Sequence, residues 1–376
     1  MKTCLILAAL FATFVFSQEY DPPSPYVQRP VEYSGYFQAL HDELDQPLNG
    51  VVRTYYVAAD EIVWDYAAHL NNDAAHTASD FWTTNSATAI GSRYHKAVYR
   101  QYTDETYSEP IPRPDWQGLM GPILRAEVGD TIEIHFWNRA AHNFSMHPHG
   151  VFYEFDMEGA VYKGTTETAF VHPGGRYTYT WQVAPRAGPG PADGNSLVWG
   201  YHSHVTELDI HAGLFGAIVI YRPGTLDEAS MVIVTALFGL NENLSPYLQK
   251  TIDTLHHTLA MDEIRRTEQS RNLFYTSNIK QTVNGLISAD ATDLRLSTGV
   301  PVQWHLLGWG SEQDIEPVSW EDGLVELFDN SVKEIRLLPA TFRTIAFTPS
   351  RPGVWGFGAL TGEQGPKGMT MYYHVK

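Results

Sequence analysis

Apolar positions along this chain recur mainly with a period of two. Residues 51–64, VVRTYYVAADEIVW, are rich in β-branched and aromatic side chains, as a strand favours. Within AEVGDTIEIHFWN, residues 126–138, Ile132, Ile134 and Phe136 fall on one face and Thr131, Glu133 and His135 on the other. RYTYTWQV, residues 176–183, alternates in the same way, and GLFGAIVIY, residues 213–221, reads as a buried strand. Between them RAGPGPADGNS is a Pro/Gly loop. After Arg222-Pro223-Gly224 a second strand set opens with MVIVTALFGL, residues 231–240. It continues through 281–283, 294–296, 302–307, 333–338, 344–348 and 369–375. Residues 248–268 carry charge without a strong period and are expected to be helical or irregular.

The two halves echo each other coarsely. RAEVGDTIEIHFW is matched by ATDLRLSTGVPVQWHLL, HPGGRYTYTW by LPATFRTIAF, and LVWGYHSHV by GVWGFGALT. Repetition over so long a period predicts an all-β chain of two tandem β-sandwich domains, with a boundary near Thr225: 18–225 and 226–376. At 376 residues, each half is long enough to bury its own core.

Composition adds two constraints. A formal net charge of −18 repels phosphate backbones and makes nucleic acid a poor partner, while it suits cations. The chain has 1 cysteine, Cys4, in MKTCLILAALFATFVFS, where a basic Lys2 precedes an apolar run and Val15 and Ser17 suit the −3 and −1 cleavage positions. Residues 1–17 are therefore expected to be a signal peptide, too short to span a membrane, and the mature protein is expected to be secreted and cysteine-free. It would then have neither disulfides nor thiolate chemistry.

The chemistry concentrates in histidine. Of the 16 histidines, four form two H-x-H pairs, His147/His149 in SMHPHGV and His202/His204 in WGYHSHV. Residues i and i+2 of a strand share a face, so each pair sets two imidazoles side by side. Two such pairs on neighbouring strands would converge four neutral nitrogens, a donor set that suits Cu, Zn, Fe or Ni. The plain alternative is that each pair is surface or hydrogen-bonded histidine. His135, His142 and His172 lack such pairing and are expected to be surface or structural, and His211 could at most support the second pair.

At these residues the sequence resembles the ceruloplasmin–hephaestin branch of the multicopper oxidases, whose domains are also the A domains of coagulation factors. The matching stretches are YYVAADEIVWDYA, SRYHKAVYRQYTDETYSEPIPRPDWQGLMGPILRAEVGDTIEIHFWN, HPHGVFY, EGAVY, GRYTYTW, GPADGNSLVWGYHSHV and DIHAGLFGAIVIY. WHLLGWGSEQDI and RPGVWGF carry the resemblance into the second half. It implies two cupredoxin-like Greek-key sandwiches. It also implies that His147 is the type 2 ligand and that His149, His202 and His204 are type 3 ligands, half of a trinuclear copper centre.

The second half departs from that pattern. Glu316 stands where the first type 1 histidine would be, and Ser319 and Glu321 stand at the third H-x-H. Ala359 takes the cysteine position between Gly358 and Leu360, Gln364 takes the second type 1 histidine, and Met369 remains as a core methionine. Ser203, at the cysteine position of the first half, is ordinary for the family. The resemblance thus implies a secreted copper-binding relative of the ferroxidases, with one or two copper ions and no type 1 copper, that is not an oxidase by itself. Two alternatives remain open. A protein partner, or a homo-oligomer across the H-x-H face, could complete an active ferroxidase; or the chain is a non-catalytic extracellular interaction module. The acidic residues Glu312, Asp314, Glu316, Glu321 and Asp322 are expected to form a solvated loop rather than a hard-cation site. Of the N-glycosylation sequons at Asn143 and Asn243, Asn243 is the expected site, because a glycan on Asn143 would crowd the histidines.

Overall fold

The strands form where alternation gives a buried face. Along Thr131–Asn138 the residues Ile132, Ile134, Phe136 and Asn138 are buried, and those between them are half-buried. The protein is described by a computed structural model covering residues 49–376, except 71–79, 163–168, 229, 257–258, 311–314, 329 and 361–367. The leader at 1–17 lies outside the described residues.

In chain order the first strands are β1 (Val52–Asp65), β2 (Arg93–Tyr102), β3 (Ile123–Glu127), β4 (Thr131–Asn138), β5 (His147–Pro148), β6 (Arg176–Gln182), β7 (Ser196–His202) and β8 (Phe215–Tyr221). They make one sheet in the order β2-β1-β4-β6 and another in the order β3-β8-β7-β5. The inner faces of these two sheets meet in one core, with Ile132, Ile134 and Trp181 from one and Leu124, Tyr201 and Ile218 from the other. This is sheet-on-sheet packing.

The second set is β9 (Ile233–Asn241), β10 (Ile279–Val283), β11 (Ala289–Leu296), β12 (Val302–Gly308), β13 (Glu316–Trp320), β14 (Val325–Leu327), β15 (Asn330–Val332), β16 (Glu334–Leu337), β17 (Thr341–Phe347), β18 (Gly353–Gly358) and β19 (Thr370–Val375). They pair as β10-β9-β12-β17-β14-β15 and β11-β19-β18-β13-β16. Their core centres on Trp304, whose ring stands 4.7 Å from Phe357, 5.4 Å from Tyr373 and 5.7 Å from Trp320. The buried indole N–H is satisfied by Thr235 Oγ1 at 2.9 Å. The architecture is all-β, as expected from the alternation. Between β9 and β10 the chain is helical at Leu248–Leu255, Met261–Arg266 and Glu268–Ser277, so helix runs beyond the expected stretch. No helix among the described residues is long and apolar enough to cross a membrane.

A third apolar cluster belongs to both halves. Tyr94, Val98, Phe215 and Val219 of the first pack with Val234, Phe238, Leu307 and Trp309 of the second. Beside it lies a buried polar knot. Lys96 Nζ donates to Glu242 Oε1 at 2.5 Å and to the His211 carbonyl at 2.5 Å, and the Tyr66 hydroxyl also donates to Glu242 Oε1. The Lys96 and Glu242 side chains are both fully buried.

His305 is one of several buried histidines that make the fold acid-sensitive. On β12 it contacts Thr344 Oγ1 at 2.8 Å, and burial drives its pKa from 6.5 down to about 3. Below pH 6.5 the unfolded chain takes up a proton that the folded chain refuses until about pH 3, so acid favours unfolding across that window. The slope is about 1.4 kcal/mol per pH unit for one such group. His305→Gln should therefore flatten the fall in denaturant midpoint between pH 6.5 and pH 4. An unchanged slope would assign the acid sensitivity elsewhere.

Candidate metal centre

The first H-x-H pair sits on β5 and the turn after it, the second at the end of β7. These strands run antiparallel with His147 directly opposite His202. Each pair straddles a strand end, because β5 stops at Pro148 and β7 stops at His202. The His149 N–H donates to the Gly200 carbonyl at 2.9 Å, holding the turn against β7. Gly150 then adopts φ +76°, and a Cβ there would lie 2.0 Å from the Trp199 indole, so this turn requires glycine. The His204 loop is pinned as well. Ser203 donates to Asp209 Oδ2 at 2.6 Å, and the His204 N–H donates to Ser145 Oγ at 3.0 Å.

This framework brings all four predicted histidines together. Ring centroids are 5.3 Å apart for His147 and His149, 5.5 Å for His147 and His202, and 5.3 Å for His149 and His202. One potential ligand atom from each of these three lies within 4.8 Å of the others. The His204 ring stands 4.9 Å from His147 and 5.3 Å from His202.

Protonation favours ligation. His147 Nδ1 lies 2.8 Å from the Glu158 carbonyl and His202 Nδ1 lies 2.9 Å from the Ser203 carbonyl. A carbonyl only accepts, so both Nδ1 atoms carry the proton and each Nε2 keeps its lone pair. Burial lowers the pKa of His147, brings that of His149 to about 4 and puts that of His202 well below 6.5, and neighbouring imidazoles add to each shift. These three are therefore neutral at pH 7. His149 Nε2 and His204 Nδ1 are buried without a hydrogen-bond partner. Buried polar atoms are rarely left so, and ligation of a metal is one way to satisfy such ring nitrogens.

Two aromatic residues complete the site from the second half. Trp309 lies 5.3 Å from His202 and 5.9 Å from His149, and Phe342 lies 5.4 Å from His149. Neither carries a local sequence signal, because their role comes from packing between the halves.

The other histidines lie elsewhere. His135 stacks on Tyr56 at 5.0 Å, His142 meets Tyr247 edge-on at 5.0 Å, and His172 contacts Asn143. His211 Nδ1 accepts the Asn241 N–H at 3.2 Å rather than supporting His202 or His204. In the second half, Ser319 pairs with Gly358 across β13 and β18, and Ala359 and Met369 are core residues. Asp322 is not solvated as expected: it is buried and accepts from the Ser350 N–H at 2.6 Å and hydroxyl at 2.8 Å. Glu321 accepts the Gly356 N–H at 2.7 Å, and Glu316 is buried. Glu312, Asp314 and Gln364 lie outside the described residues.

Two stacked-sheet halves with a histidine cluster between strand ends define a cupredoxin-type arrangement, and comparison with known proteins agrees. Residues 117–225 match the family model described as multicopper oxidase. Mouse (Mus musculus) ferroxidase HEPHL1 is 36% identical over 351 residues, covering 87% of this chain and 30% of that protein. Human (Homo sapiens) ceruloplasmin is 31% identical over 340 residues, covering 86% of this chain and 31% of that protein. A crystal structure of a multicopper oxidase superposes with a TM-score of 0.53 at 15% identity, covering 87% of this chain and 89% of the other. The chain belongs to the multicopper oxidase family. It spans about 30% of the length of the curated relatives it matches.

Proposed function

We propose that this chain is a secreted copper-binding relative of the ferroxidases that holds one or two copper ions on His147, His149, His202 and His204 and does not run an oxidase cycle alone. The observation that carries this reading is the convergence of His147, His149 and His202, neutral through burial, with orphaned ring nitrogens on His149 and His204. Two nitrogens on opposite sides of a single ion are about 4 Å apart, so a shared ion needs small ring rotations within the 4.8 Å group. When bound, copper would supply one-electron redox chemistry. His147 and His202 are held by the Glu158 and Ser203 carbonyls, which fix the ring orientation. Trp309 and Phe342 limit water on one side. The cysteine-free second half, with Ala359, Glu316 and Ser319 at the ligand positions, has no thiolate to feed electrons in.

The test is metal analysis with EPR after equilibration with Cu(II) and dialysis. The reading expects retained copper with a non-blue cupric signal, and copper-free protein would overturn it. Bound Cu(II) should also quench Trp309. The quenchable part of the emission should disappear in Trp309→Phe, and equal quenching in both proteins would place the ion elsewhere.

A second reading keeps oxidase activity but supplies the missing ligands from a partner or a second copy. His149 and His204 are only partly buried, which leaves such a partner access to the cluster. Ferroxidase activity that appears only on mixing with a partner would favour it. For glycosylation we propose Asn143 ahead of Asn243. The Asn243 amide donates to Asn241 Oδ1 and the Tyr275 carbonyl, and a glycan on its nitrogen would replace one of these two donors.

A further inference from the structure

A cavity of about 470 Å³ opens between the end of β2, the loop at residues 110–114 and the start of β3. None of the four clustered histidines lines it. Its size falls in the range of small-molecule sites. The walls are largely apolar, with Pro110, Ile111, Pro122 and Ile123, and Arg100 and Arg113 are also among the lining residues.

The two arginines differ in their partners. Arg100 pairs with Asp60 at 3.4 Å. Arg113 has no carboxylate partner among the described residues; its Nη1 donates to the Met120 carbonyl at 2.6 Å. Another half-buried arginine on this acidic chain does find a carboxylate, Arg53 with Asp130. Burial and the nearby Arg100 cation together lower the Arg113 pKa to about 10, still charged at pH 7. Arg113 is flanked by Pro112 and Pro114, which restrict the backbone and present the guanidinium from a stiff support. A planar guanidinium with free donors at the edge of an apolar cavity matches a carboxylate bidentately.

We propose that this cavity binds a small organic carboxylate, its carboxylate on Arg113 and its apolar body against Pro110, Ile111 and Pro122. This site is independent of copper.

Calorimetric titration of the full chain with phenylacetate tests it, with inorganic phosphate as the second probe. Saturable one-to-one binding of phenylacetate is expected, weakened at least tenfold in Arg113→Gln. Because Arg113 also bonds Met120, Ile111→Glu is the companion variant. It places a competing carboxylate at a partly exposed wall, leaves the Arg113–Met120 bond intact and should weaken binding to a similar degree. Copper retention and thermal midpoint should stay unchanged in Ile111→Glu. Absence of saturable binding, equal affinity in wild type and both variants, or binding of phosphate with exclusion of phenylacetate would each overturn the proposal.

Discussion

Copper retention should be lost when His147 and His202 are both replaced by alanine. These two residues face each other across β5 and β7 and carry the lone pairs that the Glu158 and Ser203 carbonyls aim inward. Loss of a supporting contact to a metal ligand costs about 10–100-fold in affinity, so loss of two ligands should exceed ~100-fold. The measurement is copper per chain after dialysis, read beside the cupric EPR signal. His172→Ala, at an exposed histidine outside the cluster, is the control and should keep its copper. If the double variant holds as much copper as wild type, the ion sits elsewhere and the proposed function fails. A circular dichroism melt separates ligand loss from unfolding.

The second large effect concerns the buried knot. Lys96→Met removes the cation that faces Glu242 and leaves that carboxyl buried, with Tyr66 as its remaining donor and Oε2 without a partner. Breaking a fully buried pair from one side typically costs about 3–5 kcal/mol. A guanidinium titration should show that loss as a lower midpoint with an unchanged slope. Lys96→Met combined with Glu242→Leu should recover part of it, because no buried charge is stranded, although the Tyr66 hydroxyl and the His211 carbonyl lose their partners. A single variant as stable as wild type would mean that water reaches the knot.

What the sequence revealed depended on whether the cause was local. Strands at Thr131–Asn138, Arg176–Gln182 and Phe215–Tyr221 were legible because each writes its own burial into a period of two or an apolar run. β5 was not, because His147–Pro148 is too short to hold any pattern. The convergence of His147 with His202 was legible only as a motif; their opposition depends on pairing between strands distant in sequence. Trp309 and Phe342 were invisible, since what places them beside His149 is the packing of one half on the other. The charge of Asp322 suggested solvent, and only the capped Ser350 backbone explains its burial.

The apolar layer in which Phe215 and Val219 meet Phe238 and Leu307 removes the hinge that tandem modules usually possess. Neither half can swing open without uncovering the flank of the other. Among the described residues the two halves are therefore one block, and the second half is the wall against which the histidine half is built.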